Sequence, residues 1–167
     1  MTRVSIGSPK RIAAVLILAL TPLRVGAADV SPAAIIADIG RDGAPKFVGR
    51  LSAEAGTQWK AVRAGIASGK DAWLGVARAI RPGVDAGTGE DLNTALATAL
   101  RVNPAGVLRL VGPDFPLTHV CDVPLIEPTD AQVAAWKRNA LAALDRVSDP
   151  SLAATVQDCR AALVAIK

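Results

Sequence analysis

A repeat with a period of fourteen residues constrains the fold more than any other stretch of this chain. The pattern Trp-x-x-Val-x-x-x-Ile-x-x-Gly occurs twice, first as Trp59, Val62, Ile66 and Gly69, then as Trp73, Val76, Ile80 and Gly83. Its apolar positions are three and four residues apart, which places them on one face of a helix. The glycine follows where such a helix would end, and glycine tolerates the left-handed conformation of a C-terminal cap. The repeat therefore predicts two short helices that fold back on each other as a helical hairpin.

Residues 1–27 have the layout of a secretory signal peptide. Arg3, Lys10 and Arg11 form a positive beginning, an apolar run follows over residues 12–20, and small residues at 25–28 supply a cleavage box. The apolar core is about a dozen residues long, which is shorter than the roughly 20 residues of a membrane span. An uncleaved anchor is the alternative, but Pro22 interrupts the run. We expect a soluble, periplasmic or secreted protein with a single α-helical domain over residues 28–167.

The net charge of the mature chain is close to zero. The sequence has 19 Lys and Arg residues against 15 Asp and Glu residues, and four of the basic residues precede Ala28. The basic isoelectric point therefore belongs to the targeting segment, and it indicates neither a nucleic-acid partner nor stable membrane insertion after cleavage. The oligomeric state is left open.

Cys121 and Cys159 are the only cysteines, and an even count in an exported chain predicts a disulfide bond. The bond would close a loop of about 38 residues, for which chain entropy predicts a stabilisation of about 4 kcal/mol. It would also fasten the preceding segment, residues 112–128, to the last helices. That segment contains four prolines, so we predict an extended connector that is held against the body of the protein.

The composition is rich in alanine and leucine and lacks alternating β-branched runs, which favours an all-α fold. Ser31-Pro32 and Asn103-Pro104 have the form of an N-cap followed by proline, and Thr129 with Gln132 forms a capping box. Residues 85–91 are predicted to be an acidic loop before a helix that carries Leu92. We expect about eight mostly short helices, stacked as successive hairpins.

Short helices paired through glycine or proline turns resemble a HEAT-type helical array. The residues that carry this resemblance are Trp59 to Gly83 and, more loosely, Leu92 to Val111. The chain is also similar to small secreted helical proteins of unknown role. The resemblance implies stacked hairpins that offer a face or groove to a partner, and it transfers no functional residue.

Three groups of residues are candidates for chemistry. His119 and Cys121 are two residues apart and could bind a soft metal or act as base and nucleophile, but a structural zinc site needs four ligands and Cys121 has a disulfide partner. Asp85, Glu90 and Asp91 could supply oxygen ligands for Ca²⁺, but the 85–91 loop lacks the residue spacing of a calcium-binding loop. Glu127 and Asp130 could form a carboxylate pair for acid–base catalysis. They flank a helix start, however, where negative side chains stabilise the helix dipole, and this role needs no catalysis. We assign no catalytic residue, metal or cofactor.

Six cations on the polar sides of the predicted helices could form a basic face for a protein partner. They are Lys60, Arg63, Arg78, Arg81, Arg101 and Arg109. An ordinary solvated surface is the alternative. The three tryptophans are expected to anchor the core.

The sequence thus predicts an exported helical protein with a non-enzymatic binding or protein-interaction role. A periplasmic inhibitor or immunity-type protein is one alternative. An enzyme that uses His119, Glu127 and Asp130 is another, and it requires these three residues to meet in a polar cleft.

Overall fold

The computed structural model describes Met1, residues 30–53 and residues 56–166. The predicted signal peptide, apart from Met1, lies outside the described residues. Nine α-helices are present within the described part of the chain, together with two short 3₁₀ turns and no strand. The predicted all-α fold is therefore confirmed. None of the helices described is both long enough and apolar enough to cross a membrane.

The first five helices contain the repeat and most of the core. They are α1 (Pro32–Asp42), α2 (Ala44–Ala53), α3 (Thr57–Ala67), α4 (Asp71–Ile80) and α5 (Ala86–Leu100), with a 3₁₀ turn at Arg81–Gly83. The repeat forms α3 and α4, as predicted, and these two helices contact each other. Each packs more extensively on another element, α3 on α5 and α4 on α1.

The remaining helices surround the connector and form the C-terminal part. They are α6 (Pro104–Leu108), α7 (Leu117–Val120), α8 (Asp130–Leu144) and α9 (Ala153–Ala165), with a 3₁₀ turn at Pro150–Leu152 before α9. Helix α7 differs from the prediction of an extended connector, which followed from the density of prolines around it. A single helical turn nevertheless fits between Pro116 and Cys121.

The core is centred on α5. Leu92, Leu96 and Leu100 lie along one side of this helix and have no exposed surface. Helices α3, α6 and α7 all pack on α5. The described contacts therefore gather around one central helix, and a HEAT-like stacking of hairpins stays a prediction.

The two glycines of the repeat have different roles. Gly69 has a φ of +69°, so it provides the left-handed cap that the pattern predicts. Gly83 lies in the 3₁₀ turn and does not have a positive φ, so the same prediction is wrong there. A Cβ at Gly83 would lie 2.4 Å from the backbone of Ala44, which means that glycine is needed for close packing against the start of α2.

The acidic loop predicted at residues 85–91 is the first part of α5, which is a correction to the sequence analysis. Asp85 is the N-cap, and it forms a capping box with Thr88. Gly87 and Gly89 made this stretch resemble a loop, because glycine has a low helix propensity. The other predicted caps, at Ser31, Asn103 and Thr129, are present.

The disulfide between Cys121 and Cys159 is present, with Cα atoms 5.4 Å apart. It joins the end of α7 to the middle of α9, and both cysteines are buried. Trp59 and Trp136 are buried, whereas Trp73 is half-buried and packs against the core. The prediction that the tryptophans anchor the core is confirmed.

Candidate functional site: a groove between α5 and the connector

A groove of about 620 Å³ lies between the N-terminal half of α5 and the part of the connector that follows α7, residues 122–126. Its lining combines charged residues with a short aliphatic wall. The wall consists of residues 123–126, and the charged and polar lining includes Arg63, Arg81, Asp85, Glu90, Asp91, Asn93, His119 and Asp122. The groove is thus built by three parts of the chain that are distant in sequence.

The capping box of α5 fixes one end of the groove. The backbone N–H of Thr88 donates a hydrogen bond of 2.8 Å to Asp85 Oδ1, and the Thr88 hydroxyl donates to the same oxygen at 2.7 Å. These donors, with the backbone N–H of Thr88 the most important, lower the pKa of Asp85 below its usual range. Asp85 is therefore a fixed anion at neutral pH.

Asp91 joins α5 to α3 at the side of the groove. The indole Nε1 of Trp59 donates to Asp91 Oδ2 at 2.8 Å, and Arg63 Nη1 lies 2.9 Å from Asp91 Oδ1. Because both carboxylate oxygens are engaged within the fold, Asp91 has a structural role here. It is poorly suited to exchange a proton with a bound molecule.

His119 is held at the groove by an amide. Its Nδ1 lies 3.2 Å from Asn93 Nδ2, which is within hydrogen-bonding distance. Asn93 Oδ1 is buried and has no hydrogen-bond partner among the described residues. The pair connects the middle of α5 to α7, and both residues line the groove.

The part of the connector after α7 forms the outer wall. The start of this wall is fixed by the disulfide at Cys121 and by Trp136 Nε1, which donates to the carbonyl oxygen of Asp122 at 3.2 Å. Further along, Leu125 is 38% exposed and Ile126 is 96% exposed. The sequence analysis predicted that the whole connector is held against the body, and this is wrong for these two residues.

The predicted catalytic set is not gathered in this groove. His119 lines it, whereas Glu127 does not, and Asp130 borders a separate shallow depression on α8 with Val133 and Leu141. Cys121 is oxidised, which leaves the His119–Cys121 pair without a thiol. Within residues 30–53 and 56–166, no group of three His, Cys, Asp or Glu residues is placed to hold a metal ion.

Four of the six cations predicted to form a basic face have partners within the fold. Arg63 pairs with Asp91, and Arg109 Nη2 lies 3.1 Å from Asp149 Oδ2. The guanidinium groups of Arg81 and Arg101 lie over aromatic rings, those of Phe115 at 5.5 Å and Trp136 at 3.8 Å. Lys60 and Arg78 are exposed. A single functional basic face stays a prediction.

The groove itself contains more acidic than basic groups. Four carboxylates line it, from Asp85, Glu90, Asp91 and Asp122, against two guanidinium groups, from Arg63 and Arg81. The sequence analysis missed Asn93, Asp122, Leu125 and Ile126 as groove residues. The only signal for the last two was the apolar, proline-rich composition of the connector.

No family model, curated protein or solved structure matches this chain. The roles of the groove residues therefore follow from their chemistry alone.

Proposed function

We propose that this protein is exported and that it acts as a non-enzymatic binding protein, with the α5–connector groove as its contact site for a protein partner. The observation that carries the proposal is the exposure of Leu125 and Ile126 at the edge of a polar groove. Adjacent aliphatic side chains next to polar groups are typical of a surface that becomes buried on association. A single exposed apolar residue is common on protein surfaces and would not indicate a contact site.

The bonding within the groove favours binding over catalysis. Asp91 is bonded on both oxygens, the imidazole of His119 is bonded to Asn93, and Cys121 is in a disulfide. General acid–base or nucleophilic catalysis depends on a group that is free to react and has a partner that activates it. Residues that bond one another instead give a rigid surface, which lowers the entropy cost of binding.

Export is supported by two features. The first is the charge and hydropathy pattern of residues 1–27, and the second is the disulfide between Cys121 and Cys159. Disulfides persist in oxidising compartments and are rare in the cytosol.

The test uses the mature protein as bait in an envelope extract from the native cell. The variant Leu125→Ser/Ile126→Ser removes the aliphatic edge, and Val102→Ser/Val164→Ser is the matched control, because Val102 and Val164 are also exposed but lie outside the groove. We expect a protein that is captured by the wild type and by the control but is lost with the edge variant. Capture of the same proteins by all three baits would contradict the proposal.

An inhibitor or immunity-type role is the second candidate. Ile126 protrudes from a segment that is bounded by Pro124 and Pro128 and anchored by the disulfide at Cys121. A projecting side chain on a rigid segment is suited to tight, preorganised binding. The same capture experiment separates the two roles, since an inhibitor gives a stable one-to-one complex that blocks the activity of the captured protein.

A further inference from the structure

We infer that the groove takes a basic and aliphatic segment of the partner protein. A lysine or arginine side chain would enter beside Glu90 and Asp122, and a neighbouring aliphatic side chain would cover Leu125 and Ile126. This inference rests on the proposed function, and it adds the chemistry of the partner to it.

The carboxylates of the groove differ in how far they are already bonded. The charges of Asp91 and Arg63 cancel as an ion pair, and Asp85 Oδ1 accepts two hydrogen bonds from Thr88. Glu90 is exposed and accepts no hydrogen bond from a described residue, and Asp122 Oδ1 accepts only the N–H of the next residue, at 2.7 Å. Both carboxylates therefore have acceptor capacity to offer to a cation.

Two cations of the groove itself, Arg63 and Arg81, could compete with a partner for these carboxylates. Among the groove residues, Arg81 is the cation without a carboxylate partner in the described part of the chain, and its guanidinium lies over the ring of Phe115. With Arg81 and Arg63 set against four carboxylates, the groove keeps an excess of two negative charges at neutral pH. The mature chain as a whole is close to neutral, so this excess is local. It favours a basic partner and repels an acidic one.

The aliphatic wall of residues 123–126 follows directly after Asp122 in the groove. Val123 and Pro124 are half-buried and lead directly to the exposed Leu125 and Ile126. The acidic groups and the wall belong to the same groove, so one short segment can reach both. Charge selects the partner and orients it, and burial of the aliphatic side chains supplies the main driving force.

The experiment presents a library of random linear peptides to the mature protein and sequences the peptides that are retained. Glu90→Gln/Asp122→Asn removes two charges and keeps the shape of both side chains. Asp114→Asn/Asp158→Asn is the matched control, because these residues are exposed and lie outside the groove. Circular dichroism first establishes that every variant is folded.

We expect the wild type and the control to enrich peptides in which Lys or Arg is next to Leu, Ile or Val. A synthetic peptide of that type should bind Glu90→Gln/Asp122→Asn at least about tenfold more weakly, and its affinity for the wild type should fall as salt is added.

The outcomes separate this inference from the proposed function. Enrichment of acidic or uncharged peptides that are lost with Leu125→Ser/Ile126→Ser overturns the inference and leaves the proposed function standing. Enrichment that is the same with the groove variants and the wild type, or no enrichment at all, counts against both.

Discussion

Helix α5 and the last part of the connector at residues 112–128 face each other across the groove, and the two elements are built in opposite ways. α5 has fifteen residues in regular hydrogen-bonded structure, and its leucines at 92, 96 and 100 have no exposed surface. The connector contains four prolines and one helical turn, and Ile126 near its end is almost fully exposed. Packing stabilises α5 along its length, whereas the connector is packed at Phe115 and Val120, is fastened by the disulfide at Cys121, and leaves Leu125 and Ile126 exposed.

The largest effect should come from removing the covalent restraint. Cys121→Ser/Cys159→Ser is expected to lower the free energy of unfolding by about 4 kcal/mol, because the unfolded chain regains the entropy of a 38-residue loop. Urea unfolding followed by circular dichroism measures this loss. An unchanged midpoint would show that the connector is held by its other contacts alone.

In the same variant, hydrogen exchange should distinguish the outer wall of the groove from α5. Exchange should accelerate more at residues 122–126 than in the middle of α5, since the disulfide anchors the beginning of the wall. Equal acceleration in both regions would mean that the bond stabilises the whole fold evenly.

The next effect should come from a cavity in α5. Leu96 is fully buried, so Leu96→Ala is expected to cost about 3 kcal/mol of unfolding free energy through lost apolar burial and the cavity that remains. Ile126→Ala is the control in the connector, where the change should stay within about 0.5 kcal/mol. Urea unfolding measures both changes. Similar losses of unfolding free energy for the two substitutions would contradict the view that α5 is packed and Ile126 is not.

The smallest effect concerns the pH dependence of the cap of α5. Because the folded state has a lowered pKa at Asp85, this residue contributes stability above its unfolded pKa of about 3.9, and the contribution is lost as the pH falls through the folded pKa. Asp85→Asn keeps a capping side chain but cannot ionise. We expect the stability difference between the wild type and this variant to be full at pH 7 and to shrink below about pH 4. A gap that stays constant between pH 7 and pH 2, as thermal melts would show, contradicts this assignment.

Local signals in the sequence predicted much of the fold. Three of these signals are the capping box at Thr129, the cap at Gly69 and the apolar stripes of α3 and α4. Each depends on residues a few positions apart, so it can be predicted without knowledge of the tertiary structure. The start of α5 was misplaced because its glycines lower helix propensity, while the tertiary contacts of the helix outweigh that cost.

The groove could not be predicted in the same way. Asn93 contacts His119 across 26 positions of sequence, and Trp59 reaches Asp91 across 32. Such pairings depend on how helices pack, and the sequence around each residue does not indicate which distant residue it contacts. The exposure of Ile126 is also a tertiary property, since an apolar residue between prolines is equally compatible with burial.

The hydrogen bond between the Trp59 indole and Asp91 gives the molecule an optical reporter of its own. The indole is buried, yet the carboxylate that it bonds lines the groove. The emission of an indole responds to the electric field around its ring, so a charged side chain that enters the groove would change the contribution of Trp59 to the fluorescence of the protein without any attached dye.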